Sequence, residues 1–170
     1  MSWEDLARVV APKVLTDAID TSERLRLLGI PHALVRGLAV GLHGHPRATK
    51  DVDFIVGSAA FASIKPILSF REELGSLVRW GVIDLLAALP DDPALEQALQ
   101  LPEPGEVPVV PVEVLVLMKL RANRPQDQAD VAHLVNAGMD VRLVLEWLGE
   151  QAPEHVPAFS RLAQRALAGR

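Results

Sequence analysis

Apolar and polar positions along this chain follow two different periods, and the changes between them mark out its elements. Over residues 3–29 apolar side chains recur every three or four positions, through Leu6, Val9, Val10, Val14, Ile19, Leu25 and Leu28. That spacing puts them on one face of a helix, with Pro12 as a point of breakage and Gly29 and Pro31 as its stop. The period then shortens. Residues 32–36 (HALVR) read as a short strand, Gly37 opens a short second helix (LAVGLHG), and a polar loop (HPRATK) leads into residues 51–56 (DVDFIV). Those β-branched and aromatic residues make the clearest strand of the chain. Residues 59–73 return to a helical pattern with a bend at Pro66. Residues 77–86 carry two apolar stretches split by Gly81, and the second, VIDLL, is strand-like.

Residues 87–106 are rich in proline and predict a short helix inside a long loop. Residues 107–110 predict at most an edge strand, because Pro108 has no donor for a ladder. From residue 111 the spacing is helical through PVEVLVLMKLRA, QDQADVAHLVNAG, VRLVLEWLGEQ and a last helix to Leu167. The expected fold is α/β: a small mixed sheet with flanking helices over 1–110, and a helical part over 111–170 packed on it in one domain.

Composition narrows the chemistry. The 170 residues suffice for one domain with a real core. There is no cysteine, which excludes a disulfide framework, a thiolate zinc site and a cysteine nucleophile. The net charge of −5 disfavours broad binding to a nucleic-acid backbone. The acidic, amphipathic start MSWEDLARVV does not read as a signal peptide, and no segment reads as a membrane span, so the expected location is cytoplasmic. Gly-x-Ser-x-Gly, Walker-type and dinucleotide-binding glycine patterns are all missing.

Asp51 and Asp53 form the only acid-x-acid pair in the chain. Two apart on a strand, they share a face with Ile55, while Val52, Phe54 and Val56 take the other. Side-by-side carboxylates repel unless a cation joins them, and magnesium takes oxygen ligands while leaving room for water and phosphate. The plainer reading is a loop-capping Asp51 and a solvated Asp53. Lys119 interrupts the apolar helix VLVLMKL, either snorkelling to the surface or reaching a phosphate as a point charge. Arg47 and Thr49 either contact phosphate or order the loop before the strand. His43 and His45 have the spacing of a zinc pair, but with no third ligand nearby in sequence they read as solvated loop histidines. Asp127 and Asp130 read as bracing a helix near Arg124.

The stretch HALVRGLAVGLHGHPRATKDVDFIVG resembles the signature of the DNA polymerase beta-type nucleotidyltransferase superfamily, in particular its minimal, abortive-infection toxin-like group. The match runs through Gly37, Ala39, Arg47, Thr49, Asp51 and Asp53. A second stretch, VEVLVLMKLRANRPQDQADVAHL, is similar to the following helix pair of that family through Lys119, Arg124, Asp127 and Asp130. The resemblance implies a nucleotidyltransferase-like fold and magnesium-dependent transfer of a nucleoside monophosphate from a nucleoside triphosphate to a hydroxyl. It implies two Mg2+ ions on Asp51, Asp53 and a third carboxylate on a neighbouring strand, for which Asp84 in VIDLL is the candidate. Gly37, Arg47, Thr49 and Lys119 would then handle phosphates. The acceptor is open between RNA, protein and a small molecule, and an antitoxin partner is compatible.

The chain departs from the pattern at Arg36, where the first glycine of the turn is expected, and at Val114, where an acidic residue is common. Arg36 either obstructs the nucleotide or grips its phosphate. The alternative function is a catalytically degenerate member of the fold that binds a nucleotide or a partner. A second question attaches to Asp84, whose carboxylate in an apolar strand needs a partner: a salt bridge to Arg79, or a place beside Asp51 and Asp53.

Overall fold

The computed structural model describes residues 2–57, 60, 77–80, 82–88 and 92–169, with 77–80 as backbone only. The helix expected over 59–73 lies outside the described residues apart from Ala60, and Gly81 lies outside them altogether.

The N-terminal apolar period forms two helices, α1 (Trp3–Leu6) and α2 (Pro12–Leu27). They break at Pro12, which sits at the first position of α2, where a missing N–H costs nothing. The strands are β1 (His32–Leu34), β2 (Val52–Gly57), β3 (Leu77–Trp80) and β4 (Ile83–Ala88). Between β1 and β2 lies α3 (Arg36–Leu42), which begins one residue earlier than the glycine expected to open it. A short α4 (Pro93–Gln97) precedes the helical part: α5 (Val112–Ala122), α6 (Pro125–Asn136), α7 (Val141–Gln151) and α8 (Val156–Ala168).

The sheet is mixed, as expected, in the order β1-β2-β4-β3. β1 and β2 are antiparallel, β2 and β4 parallel, and β3 and β4 antiparallel. Period-two alternation sends its side chains to two different cores. Leu34, Val52, Phe54, Val56 and Leu85 face α1 and α2, meeting Leu6, Val14, Ala18 and Leu25. Ala33, Ile55 and Leu86 face the helical part, meeting Val114 and Leu115 of α5 and Leu134 of α6. Burial of a Phe54 or a Leu115 contributes about 1.5–3 kcal/mol. A third core, with Leu117, Val131, Val144, Leu148 and Phe159, holds α5 to α8 together.

Residues 107–110 do not make an edge strand. Leu34 N–H donates to the Pro108 carbonyl at 2.7 Å, and Val110 N–H donates to the Leu34 carbonyl at 3.0 Å. This is an isolated bridge, Leu34 with Val109, because Pro108 can accept but not donate. A second bridge joins His32 and Gln100 across the same edge. His32 itself is buried: its Nδ1–H donates to the Ile30 carbonyl at 2.9 Å and its Nε2 accepts from the Ser22 hydroxyl at 2.7 Å. Burial lowers its pKa and keeps the ring neutral. No described helix is long and apolar enough to cross a membrane.

Candidate functional site

Three segments meet at one end of the sheet. β2 and β4 run parallel, so both begin there, and Asp53 stands opposite Asp84 in the register. β1 runs the other way and ends there, with Val35 N–H donating to the Asp53 carbonyl at 2.9 Å. Arg36 follows as the first residue of α3. Its Nη1 donates to Asp53 Oδ1 at 2.8 Å and stands 3.7 Å from Asp84 Oδ2. The two carboxylate oxygens can therefore be no further apart than those lengths laid end to end. That is inside the roughly 8 Å beyond which they could not share a pair of metal ions.

Both carboxylates are buried, Asp53 at 4% exposure and Asp84 at 2%. The Asp53 carboxyl is pushed up to about 6, chiefly by that burial; Arg36 pulls the other way, and the charges of Asp84 and Asp51 add to the rise. Asp51 precedes β2 rather than starting it and is exposed. Arg79, the other partner considered for Asp84, is opposite it in the β3–β4 register, but its side chain lies outside the described residues.

Arg36 adopts φ 55°, in the left-handed region. The turn thus keeps the backbone conformation a glycine would take freely, although an arginine occupies it. Gly37 behaves differently. A Cβ there would come within 2.9 Å of Thr49 Oγ1, so the glycine is required by close approach of the loop before β2. Thr49 donates to the Asp51 carbonyl at 3.3 Å, and it orders that loop.

Lys119 does not snorkel to the surface. It is buried at 5% exposure, and its ammonium donates to Asp127 Oδ1 at 2.9 Å and Asp130 Oδ2 at 2.6 Å. Arg47 is likewise engaged, its Nε and Nη2 forking onto Asp130 at 3.1 and 3.2 Å. Arg124 closes the other end, donating through Nε to Asp127 Oδ2 at 2.6 Å. Burial opposes ionisation of Asp127 and Asp130. The hydrogen bonds from Arg124 and Lys119 to the first, and from Lys119, Gln126 and Arg47 to the second, outweigh it and hold both carboxyls below the ordinary value. The sequence signal for this network was the lysine followed by the Arg-x-x-Asp-x-x-Asp run.

A cleft of about 270 Å³ joins the two groups. Arg36, Lys119 and Arg124 line it together with apolar Leu86, Leu115 and Met118. The expected solvated histidines are also engaged. His43 Nε2 donates to the Val110 carbonyl at 2.7 Å, and His45 stacks on His133 with ring centroids 3.9 Å apart.

For a magnesium ion the donor chemistry fits: Asp53 and Asp84 offer carboxylate oxygens, and a cation, the Arg36 guanidinium, already stands in their reach. Among the described residues no three acidic or histidine side chains converge as a ready metal site.

No protein-family model matches the chain, and no curated protein matches it. Among solved structures it is similar to an antigenic nucleotidyltransferase-like protein from Paracoccidioides brasiliensis, with 16% identity over 94% of each chain and a TM-score of 0.49.

Proposed function

We propose that the protein is a magnesium-dependent nucleotidyltransferase that moves a nucleoside monophosphate from a nucleoside triphosphate to a hydroxyl acceptor and releases pyrophosphate. The observation that carries this reading is the in-register pair Asp53 and Asp84, both reached by Arg36, which lines a cleft together with Lys119 and Arg124. A carboxylate cluster suits metal ions, and a basic wall suits the phosphates those ions accompany. The resemblance of the two sequence stretches to nucleotidyltransferases points the same way.

Asp51, Asp53 and Asp84 would hold the Mg2+ ions, which when bound would offset phosphate charge and acidify the acceptor hydroxyl. Asp84 takes the acceptor proton as the hydroxyl oxygen bonds to the α-phosphorus and the bond to the bridging oxygen of pyrophosphate breaks. Arg47, Asp130, Lys119, Asp127 and Arg124 set three cations against two carboxylates, so the wall carries an excess positive charge toward the triphosphate. Leu86, Leu115 and Met118 give the cleft an apolar surface for an uncharged part of the substrate. RNA, a protein or a small molecule would serve as acceptor. The toxin-like resemblance extends the proposal to a toxin held in check by an antitoxin partner.

The ion pair of Arg36 with Asp53 favours a second reading, a catalytically degenerate module that binds a nucleotide or a partner. Incubation with labelled nucleoside triphosphates, Mg2+ and cell extract separates the two. The transferase reading expects a labelled acceptor with the native chain and none with the Asp53→Asn, Asp84→Asn double variant. Magnesium-dependent nucleotide binding without any labelled product selects the second reading.

A further inference from the structure

Arg36 combines two features that a simple surface ion pair does not require. Its backbone at φ 55° is a left-handed conformation that L side chains rarely adopt. Asn123 is the only other described non-glycine residue with positive φ, and it ends α5, where such a residue is common. Arg36 begins a helix instead. Its guanidinium also faces two ways: Nη1 engages Asp53 and approaches Asp84, while the side chain stays 35% exposed and borders the cleft shared with Lys119 and Arg124.

Resting on the transferase reading, we infer that Arg36 is a resident cation that exchanges partners. It neutralises Asp53 and Asp84 in the metal-free protein, yields that place to a divalent cation, and swings to the cleft wall to hold the phosphate of the arriving nucleotide. The exchange follows from charge and shape. A guanidinium and a divalent ion repel strongly when both stand within a few ångströms of the same carboxylates. The displaced planar fork is suited to a phosphate, and the cleft it already lines is where phosphate would sit. A lone obstruction would not need a charge that matches the carboxylates. A lone phosphate ligand would not need to rest 2.8 Å from Asp53.

The test is a titration of Mn2+ alone, read by calorimetry and by the resonance signal of free Mn2+, into the native protein, Arg36→Gly and Arg36→Lys. Glycine is native to this backbone conformation, so the first variant keeps the turn. A second titration adds a non-hydrolysable nucleoside triphosphate analogue at saturating Mn2+. Removing the competing charged hydrogen bond should tighten Mn2+ by roughly tenfold to a hundredfold in Arg36→Gly, with Arg36→Lys in between. The same glycine variant should bind the analogue at least roughly tenfold more weakly. Opposite signs for metal and nucleotide are the signature of exchange. If Arg36→Gly binds both more tightly, the arginine is an obstruction and the inference falls. If the native protein binds both and the variant changes neither, the inference falls while the transferase reading stands. If no form binds Mn2+ or the analogue, both fall.

Discussion

Two groups of buried aspartates, Asp127 with Asp130 and Asp53 with Asp84, are held by different cations. Asp127 and Asp130 are nearly or fully inaccessible, yet Lys119, Arg124 and Arg47 hold their carboxyls below the ordinary value. Asp53 is also buried and is paired with Arg36, yet its carboxyl is pushed up to about 6. At Asp53 burial outweighs the Arg36 ion pair, whereas at Asp127 and Asp130 the hydrogen bonds from Lys119, Arg124, Gln126 and Arg47 outweigh burial. The first group is satisfied and acts as a strut between α5, α6 and the loop before β2. In the second, burial outweighs the Arg36 contact at Asp53, the condition in which a further cation is attracted.

The largest expected effect comes from breaking the satisfied group. Lys119→Met leaves two buried carboxylates without their shared ammonium and should cost about 3–5 kcal/mol, read as a drop in the urea midpoint at pH 7. A cost below about 1 kcal/mol would mean that water already shields those aspartates, and the contrast would disappear.

The next effect has the opposite sign. Asp53 binds its proton up to about pH 6 in the fold but, with an ordinary value of 3.8, releases it earlier when unfolded. Between those values the native chain holds more protons, so this group's contribution is full below pH 3.8 and is lost as pH rises through about 6. Asp53→Asn should therefore stabilise the protein by about 1–3 kcal/mol at pH 7 and by nothing near pH 3.5. Thermal melts of both proteins across that range check it; a gain that grows toward acid would place the shift in the wrong direction.

The smallest effect tests how evenly the satisfied group shares its load. Arg47→Lys removes one arm of a two-pronged contact with Asp130 while Lys119 still neutralises that carboxylate. It should cost only about 0.5–1.5 kcal/mol by urea unfolding. A loss as large as that of Lys119→Met would make Arg47 the principal partner.

Most of the architecture was legible in the sequence because each face of β2 is set by alternation, and because α5 to α8 repeat apolar residues at helical spacing. Asp51 and Asp53 stood out as charges at the start of an apolar strand. The pairing of Asp53 with Asp84 was reachable only by supposing that two strands lie side by side. What could not be read was who neutralises whom. Lys119 looked like an isolated cation because its partners lie eight and eleven residues on, across the turn between two helices. Arg36 looked like a substitution in a glycine turn because sequence gives no sign that the turn keeps its left-handed backbone. The stack of His45 on His133 depends on a loop meeting a distant helix, which no local spacing encodes.

The two bridges that cover β1 have a consequence for how the molecule is made. During synthesis β1 leaves the ribosome with its outer rim bare, and neighbouring β2 can cover only the inner one. The rim stays open until the segments around Gln100 and Val109 have emerged to meet His32 and Leu34. Exposed strand rims are where nascent chains stick to one another, and distant closures of this kind form late. The growing chain thus keeps this rim open after its acidic strands are complete and until the segment around Val109 has emerged. That is the interval in which a chaperone would have most to protect.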